Sequence, residues 1–502
     1  MIFSFDLPLF SLIPLLVLLI FLLLPFKWLS SVVERNKNPP PSPRKLPVIG
    51  NLHQIGSKPH HSLNDLAQVH GPVMLIHMGS VPMVVASTAE AAGEILKTHD
   101  AALCNRPKLN LPHVLTYGSK DLVFSSYGEY WRQIKSIAVL HLLSNRRVQS
   151  FRRVREDETR VMIDMIRESR GSLVDLSDLS LTLTNNVVCR ATLGRTYPEF
   201  EFKHLLKRLS FLIGVYSIGN YIPWLSWVDW LNGLQRSAHE VAKEFDYFIE
   251  GVIGEHINKK KGLDIDAESD ISLDFVDILL DVQSKTATSL TTQSVKALIL
   301  DMFAGGTDTT PPSIEWAMSE LIKHPRMMKK LQQEAREVAQ GRSMINEEDL
   351  EKMQYLKAVI KETLRLHPPA VLLLPREAIK DVKLMGYDVK AGTQVVVNTW
   401  AVGRDPSVWE EANKFRPERF LNSDIDYKGL HFELLPFGGG RRGCPGLQFA
   451  VAIIELSLAN LVYKFDFQLP DEKRGEELDM SETTGTVVHR KSPLLVMATP
   501  RF

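Results

Sequence analysis

The segment from Pro436 to Gly446, PFGGGRRGCPG, constrains the fold of this chain more than any other stretch. It places Cys444 after three consecutive glycines and two arginines, with a proline directly after the cysteine. Glycines permit close backbone approach and positive φ, so such a loop can lie against a flat partner. A thiolate beside cations is the form of cysteine that ligates a metal. The segment therefore predicts a cysteine that binds a flat, metal-containing group.

The fixed positions of this loop each have a task if the sulfur of Cys444 binds haem iron. Arg442 can pair with a propionate, Phe437 can screen the thiolate from water, and Gly440 and Gly446 leave room for the macrocycle. The alternative is a glycine-rich basic loop around a cysteine that is simply buried. The spacing resembles the cysteine-ligand loop of the cytochrome P-450 family, the haem-thiolate monooxygenases.

This resemblance implies a mainly α-helical fold with small β-sheets, the cytochrome P-450 fold, preceded by one N-terminal transmembrane helix. It implies haem b as cofactor, and O2 and NADPH as co-substrates. The chain has no glycine-rich nucleotide fingerprint placed after a strand, so its electrons should come from a separate NADPH-cytochrome reductase flavoprotein. The motif set resembles plant microsomal members that act on terpenoids, coumarins and other phenolics.

Composition narrows the class further. The 502 residues contain 59 basic and 59 acidic side chains, and this zero net charge argues against a general nucleic-acid binder. The three cysteines, Cys104, Cys189 and Cys444, are too few and too scattered for a secreted disulfide framework. A reducing compartment is expected.

The amino terminus predicts a membrane anchor. The stretch 7–26 carries no charge, and a helix of that length spans roughly the 30 Å hydrocarbon core. Basic residues follow it, which places the bulk of the chain in the cytosol. We expect a luminal segment over 1–6, the anchor over 7–26, a basic and proline-rich hinge over 27–50 and a catalytic domain over 51–502, single-pass in the endoplasmic reticulum membrane. A cleaved signal peptide is the alternative.

Apolar periodicity predicts the main elements of the globular part. A hairpin is expected over 72–85, a charged surface loop over 259–270, and a strand pair over 383–397 that turns at 390–392. Helices are expected at Tyr127 to Leu143, Thr291 to His324, Arg326 to Gln340, Glu347 to His367 and Leu447 to Phe465.

The run from Phe303 to Thr310, FAGGTDTT, lies inside the longest helical pattern. Two glycines weaken a helix interior by roughly 1 kcal/mol each, which favours a groove for a small ligand; a turn is the alternative reading. Thr309 and Asp308 offer a hydroxyl and a carboxylate for proton transfer, and the run resembles the oxygen-activation motif of the family. Pro311-Pro312 departs from that pattern because it removes two helix donors.

Glu362 and Arg365 share one face of a helix, where a surface ion pair would be the ordinary reading. In the family, this pair combines with an arginine of the type found here at Arg419, in PERF, to form a buried structural salt bridge behind the cysteine loop. Trp131 and Lys135 resemble the family's Trp-x-x-x-Arg contact with a haem propionate, with lysine replacing the commoner arginine.

Arg376 resembles another propionate partner of the family. For Trp131, Lys135 and Arg376 alike, a position on a solvated surface is the alternative.

By analogy with the family, five segments contact substrate: 103–123, 211–218, 300–304, 370–374 and 484–488. The middle three carry no charge except Asp301, which predicts a neutral, hydrophobic substrate. The residues expected to line the pocket are Ala304, Gly305, Val371, Leu372, Thr484 and Val487. Core packing explains apolar residues at these positions equally well.

Two surface features are also predicted. Tyr221, Trp224, Trp227 and Trp230 recur every three residues, which suits either a membrane interface or an ordinary core. Basic residues beside the predicted cysteine loop offer a docking face for an acidic reductase: Arg132, Lys135, Lys428 and Arg441.

Three functions remain open at this point. The first is an NADPH- and O2-dependent monooxygenase, the second a haem-thiolate dehydratase or isomerase that needs no O2, and the third a non-catalytic membrane protein that binds haem or lipid. Asp308 and Thr309 favour the first, because the other two give no reason for an acid beside a hydroxyl.

Overall fold

The computed structural model describes residues 38–169, 171–197, 199–262, 273–285 and 290–501. The predicted anchor over 7–26 and the first part of the hinge lie outside the described residues, as does most of the charged loop predicted over 259–270. Its first residues, up to Gly262, continue a helix instead. The fold is mainly helical with small sheets, as predicted.

The described α-helices, in chain order, are α1 (Pro59–His70), α2 (Ala89–Gly93), α3 (Asp100–Leu103), α4 (Asn110–Leu115), α5 (Glu129–Ile137), α6 (Asn145–Ser150), α7 (Arg152–Glu168), α8 (Leu176–Leu193), α9 (Glu199–Gly214), α10 (Ile218–Tyr221), α11 (Ser226–Leu231), α12 (Leu234–Gly262), α13 (Phe275–Lys285), α14 (Thr292–Asp308), α15 (Thr310–Lys323), α16 (Pro325–Ala339), α17 (Gln354–Leu366), α18 (Thr399–Val402) and α19 (Leu447–Lys464).

The described strands are β1 (Val73–Met78), β2 (Val81–Ala86), β3 (Leu173–Asp175), β4 (Arg376–Glu377), β5 (Val382–Leu384), β6 (Tyr387–Val389), β7 (Gln394–Val397), β8 (Phe465–Gln468) and β9 (Leu495–Pro500). They form sheets of order β1-β2-β7-β4, β3-β9-β8 and β5-β6. The predicted hairpin is β1 and β2, which pair antiparallel with Met78 opposite Val81.

The prediction for 383–397 was partly wrong. The hairpin there is β5 and β6, which pair Leu384 with Tyr387 and turn at Met385 and Gly386, both at positive φ. The predicted turn at 390–392 instead leads from this hairpin to β7, in another sheet. Alternating apolar residues show that a strand is present but not which strand it pairs with.

Helix α19 is the centre of the helical core. By length and composition it could cross a membrane, with a mean hydropathy of 1.4, but 72% of it is buried inside the protein. It packs against α7, α15, α16 and α17, and a helix that is apolar on every side is what such a central position requires. It begins directly after the cysteine loop, so the core fixes where that loop lies.

The predicted helix from Thr291 to His324 is divided into α14 and α15 at Thr309. Thr309 keeps near-helical angles, φ −93° and ψ −25°, so the break is slight. Pro311 and Pro312 fall in the first turn of α15, where the backbone N–H groups have no partner within the helix. The two prolines are therefore accommodated by starting a new helix.

Two other predicted helices are interrupted. The pattern over 347–367 forms a 3₁₀ turn at Glu347–Lys352 and then α17. The pattern over 127–143 forms α5 and then a π-helical turn at Ala138–Leu142. Apolar spacing alone does not distinguish these tighter or wider turns from α-helix.

Candidate active site

The candidate active site is a cavity of about 290 Å³ between α14 and the cysteine loop. Its walls include Gly305 and Thr309 of α14 and its end, Trp131 and Lys135 of α5, and the loop from Pro436 to Gly446. Most of its surface is apolar. The fold thus brings together motifs that lie as far apart in the sequence as Trp131 and Cys444.

Cys444 lies in this cavity at the start of α19. Its exposed surface faces the cavity rather than bulk water, and burial raises the pKa of its thiol. The backbone N–H groups of Gly446 and Leu447 point at the sulfur and, with Lys135, act in the opposite direction. Amide donors at a helix N-terminus stabilise a thiolate. A buried sulfur with such donors fits an axial ligand of haem iron.

The glycines of the loop fit a flat group on one side and tight packing on the other. Gly438 and Gly440 have φ of +64° and +65°. A Cβ at Gly440 would lie 2.4 Å from the carbonyl oxygen of Leu96. A Cβ at Gly446 would meet nothing nearer than Cys444 Sγ at 3.9 Å, so the space beside Gly446 is open. Phe437 lines the cavity beside them.

Cationic side chains gather at one end of the cavity. Arg442 donates to the carbonyls of Cys104, Leu122 and Ser125 at 2.9, 3.2 and 2.7 Å, and its guanidinium lies 4.2 Å from the centre of the Trp131 ring. Trp131 Nε1 donates to the Leu122 carbonyl at 2.9 Å. Burial lowers the pKa of Arg442 to about 10.

Lys135 and Arg376 belong to the same cluster. Lys135 Nζ donates to the Arg441 carbonyl and lies 5.2 Å from the Trp131 ring. Arg376 donates to Asp100 and to the Gly439 carbonyl, both at 2.8 Å. Burial lowers the pKa of both side chains. Several desolvated cations at one end of a cavity require anions. Asp100 is one such anion, and the two propionates of a bound haem would fit as others.

Sequence reasoning missed Arg106 as a member of this cluster. Arg106 donates to the carbonyls of Val123, Leu374 and Pro375 at 2.9, 2.7 and 2.8 Å, and burial holds its pKa well below the usual range. It lines the cavity. Only its place inside the predicted segment 103–123 pointed to it, because a basic residue before a proline is not a specific signal.

The groove motif is formed, but its two glycines have different structural roles. A Cβ at Gly305 would meet nothing within 4 Å, whereas a Cβ at Gly306 would lie 2.8 Å from Val188 Cγ2. Gly305 therefore opens the groove, and Gly306 lets α14 pack closely on α8. Thr309 Oγ1 donates to the Gly305 carbonyl at 2.7 Å and lines the cavity.

Asp308 is placed differently from Thr309. Its carboxylate lies 3.4 Å from His489 Nε2, and both side chains are about one third exposed. Asp308 thus faces the C-terminal loop, while the Thr309 hydroxyl faces the cavity. The carboxylate of Asp308 and the hydroxyl of Thr309 therefore lie on opposite sides of the end of α14.

The predicted salt-bridge triad is formed and buried. Arg365 binds Glu362 in bidentate fashion at 2.7 and 2.8 Å, and Arg419 Nε donates to Glu362 Oε1 at 3.1 Å. The carboxylate of Glu362 also accepts from the backbone N–H of Arg416 at 2.7 Å. Arg365 binds the carbonyls of Gly403, Ala412 and Lys414 as well. The triad therefore joins α17 to the segment 403–419.

A second cavity, of about 100 Å³, adjoins the first and shares Leu373 and Leu374 with it. Val371 and Leu372 line it, as predicted for the substrate pocket. In the C-terminal segment, Gly485 and Thr486 form the wall in place of the predicted Thr484 and Val487.

Of the predicted pocket residues on α14, Gly305 lines the first cavity and Ala304 packs against the main hydrophobic core.

Asp301 is the acidic residue of α14 on the cavity wall. It accepts from the backbone N–H of Leu122 at 2.7 Å. Burial, with a contribution from nearby Asp121, holds its pKa well above the usual range. A raised pKa favours the protonated, uncharged form of Asp301 on the cavity wall.

The family model for cytochrome P450 matches residues 40–497. The chain belongs to the cytochrome P450 family. It is 55% identical to a 3-beta-hydroxylase of Tanacetum parthenium, over 99% of each chain. It is 50% identical to psoralen synthase of Pastinaca sativa, over 95% of this chain and 99% of the relative.

A solved structure of a zebra fish cytochrome P450 with abiraterone has the same fold. It superposes with a TM-score of 0.74 and 25% sequence identity, and the match covers 89% of this chain and 100% of that one. This cytochrome P450 is therefore a monooxygenase that uses haem iron, O2 and electrons from NADPH delivered through a reductase. Of the three functions considered from the sequence, the NADPH- and O2-dependent monooxygenase is therefore the correct one.

Proposed function

We propose that this cytochrome P450 hydroxylates, or otherwise oxidises, a neutral and largely hydrophobic plant secondary metabolite such as a terpenoid, coumarin or phenolic. The observation that carries the proposal is the division of charge in the cavity. The cations lie at one end, where propionates would neutralise them, whereas the walls formed by Val371, Leu372 and Gly305 are uncharged. A charged substrate would lack a buried counter-ion there.

The plant relatives support the substrate class. Their printed names include a 3-beta-hydroxylase, a norfluorocurarine oxidase of a Strychnos species at 54% identity and psoralen synthase. These names differ among proteins of similar identity to this chain. The class of substrate is thus better supported than any single compound.

We further propose Cys444 as the axial ligand of the haem, which supplies the oxidation of an unactivated C–H bond by O2. Burial raises the pKa of the Cys444 thiol, whereas the backbone N–H groups of Gly446 and Leu447 favour the thiolate that iron would bind, and Phe437 would keep water from it. The propionate edge of the group would be held by Trp131, Arg442, Lys135, Arg376 and Arg106.

Thr309 is proposed to hold a proton at the groove. Its hydroxyl donates to the Gly305 carbonyl beside the space that the missing side chain of Gly305 leaves. Rotation of Oγ1 would turn the same proton toward a molecule in that space. Asp308, on the solvent side of the same turn, is proposed to replenish the proton, which gives the acid and the hydroxyl successive tasks.

The exposed aromatic residues support association with a membrane. Trp224, Trp227 and Trp230 are 61%, 56% and 70% exposed, and Leu231 beside them is 66% exposed. Tyr221, predicted as part of the same strip, is buried instead. Exposed tryptophans suit the interface of a bilayer. We propose that this surface lies on the endoplasmic reticulum membrane, with the catalytic part of the chain in the cytosol.

The proposed reductase face needs one correction. Lys135 turns into the cavity, so it does not belong to a surface for docking. Arg441 is half-exposed but bound to Asp100 at 2.9 Å, and Lys428 is 61% exposed beside Asp426 at 3.2 Å. Arg132 is exposed. Both Arg441 and Lys428 have an acidic partner, but Lys428 is the more exposed of the two. Arg132 and Lys428 are therefore the residues proposed to attract an acidic reductase.

The substrate proposal is tested with microsomes that contain this protein and a plant reductase. A panel of neutral terpenoids, coumarins and phenolics is compared with carboxylate and ammonium analogues of the same skeletons. Neutral members should shift the Soret band of the haem on binding and give NADPH-dependent products. Binding of the charged analogues alone would refute the proposal.

The axial ligand is tested by the carbon monoxide spectrum of the reduced protein. Cys444→Ser should abolish the red-shifted Soret band of a thiolate ligand, while Cys104→Ser and Cys189→Ser should keep it. Persistence of the band in Cys444→Ser would refute the assignment.

A further inference from the structure

Two histidines and a glutamate meet away from the active site, where the amino-terminal helix α1 touches the C-terminal loop. His60 Nε2 and His61 Nε2 lie 2.9 and 2.7 Å from the same oxygen, Oε1 of Glu482. The three donor atoms lie within 4.8 Å of one another. His60 is buried, and the side chain of His61 is 41% exposed. No sequence pattern predicts this cluster, because 421 positions separate His61 from Glu482.

We propose that His60, His61 and Glu482 form a binding site for a divalent transition metal ion, with Zn²⁺ as the best fit. Two imidazole nitrogens and one carboxylate oxygen are common zinc ligands, at about 2.0–2.2 Å from the ion. Ligand atoms in a tetrahedron of that size lie about 3.4 Å apart. The two N–O distances must therefore widen by roughly 0.5–0.7 Å, which small side-chain rotations allow. Exposed His61 leaves the fourth position open to water.

Metal binding requires particular protonation states of the three side chains. A ligand imidazole must be neutral and a ligand carboxylate ionised. Both Nε2 atoms already face the carboxylate oxygen of Glu482. When the ion binds, each Nε2 gives up its proton to water and Nδ1 of the same ring takes one from water, so a neutral ring remains neutral.

Two cations oppose the ion and set a limit on its affinity. Lys58 Nζ lies 3.5 Å from Glu482 Oε1. Arg404 lies 4.2 Å from the centre of the Trp400 ring, against which the ring of His61 also packs. Lys58 is partly exposed and can turn away, whereas Arg404 is held on Trp400. Removal of the Lys58 charge should therefore strengthen binding.

The site adjoins the second cavity. His60 lines that cavity, and so does Thr486 of the same C-terminal loop as Glu482. A bound ion would fasten the loop to α1 and so restrain one wall of the cavity. This consequence requires no role of the haem, and the metal site does not depend on the proposed substrate.

The test uses the full-length, haem-loaded protein without a histidine tag. Zn²⁺ binding is measured by isothermal titration calorimetry and by metal content after gel filtration. One equivalent should bind, and Glu482→Gln and His61→Ala should each weaken binding at least tenfold. Lys58→Gln should bind as tightly as wild type or more tightly. The carbon monoxide spectrum of each variant checks that it is folded.

Two matched controls separate this site from other histidines. His256, beside Asp274 and Asp277, belongs to a second cluster with metal-ligand spacing, and His70 ends the same helix α1. His256→Gln and His70→Ala should leave Zn²⁺ affinity unchanged. Zn²⁺ should also slow amide hydrogen exchange over 483–487 in wild type but not in Glu482→Gln. Absence of stoichiometric binding, or equal binding by wild type and both ligand variants, would overturn the proposal.

Discussion

Replacement of Glu362 by glutamine should destabilise the protein by about 3–5 kcal/mol, the usual effect of removing one partner from a buried ion pair. The carboxylate is fully buried and accepts four hydrogen bonds from Arg365, Arg419 and the Arg416 backbone. Glutamine keeps one acceptor but turns an N–H₂ group toward a guanidinium. Arg365 cannot move to water, because it also binds three backbone carbonyls.

The expected change in melting temperature follows from the size of the fold. The entropy of unfolding is about 2.1 cal/mol/K per residue, which gives roughly 1 kcal/mol/K for a folded unit of about 460 residues. A loss of about 3–5 kcal/mol then lowers the melting temperature by roughly 3–5 °C. Because the segment 403–419 leads toward the cysteine loop, the thiolate band of the carbon monoxide complex should be lost at the same temperature.

The control is an ion pair of the same spacing on the surface. Asp164 and Arg167 lie 2.6 Å apart, both nearly half-exposed, and Asp164→Asn should cost no more than about 1 kcal/mol. Tryptophan fluorescence and the carbon monoxide spectrum are followed during heating of wild type and both variants at one scan rate. Equal melting temperatures for Glu362→Gln and Asp164→Asn would refute the argument that burial makes the triad stabilising.

Three further outcomes are expected. Thr309→Ala should retain haem and bind substrate but divert NADPH electrons to peroxide, and unchanged coupling of NADPH to product would exclude the proposed proton role. Arg132→Glu with Lys428→Glu should slow haem reduction by the reductase, most strongly at low salt, with substrate affinity unchanged; equal stopped-flow rates across a salt series would place docking elsewhere. The hydrogen bond to Asp274 raises the pKa of His256 above 6.5, so its stabilising effect should be complete below about pH 6.5 and lost as pH rises through the raised pKa. Melting temperatures of wild type and His256→Gln should therefore converge at high pH, and a pH-independent difference would contradict this.

The sequence predicted those parts of the site whose residues are close neighbours along the chain. The loop from Phe437 to Gly446 was predicted to use the conformational freedom of its glycines, and Gly438 and Gly440 have positive φ, which glycine adopts without strain. The triad of Glu362, Arg365 and Arg419 required the family resemblance as well. An isolated Glu-x-x-Arg reads as a surface pair, and only the fold brings Arg419 to it.

The sequence could not predict contacts that depend on distant packing. Gly306 looked like a second groove residue, yet Val188 of α8 is what excludes a side chain there. Asp308 looked like the direct partner of Thr309, but the turn that begins α15 directs it to His489. In both cases the deciding neighbour lies more than a hundred positions away, and helical periodicity carries no information about it.

The electrostatics of the cavity also explain how the protein holds several cations in place. Asp100 binds two of them, Arg376 and Arg441. Arg106, Arg376 and Arg442 each donate to backbone carbonyls that fix their guanidinium groups, so they are in place before any anion arrives. Carbonyl dipoles satisfy their hydrogen bonds but carry no net charge, and Asp100 offsets only part of the positive charge of the cluster. A ligand with two carboxylates then gains charge neutralisation without paying for side-chain ordering. The same fixed charges make a chain without such a ligand less stable, so loss of haem should lower the melting temperature even in variants that leave the rest of the fold intact.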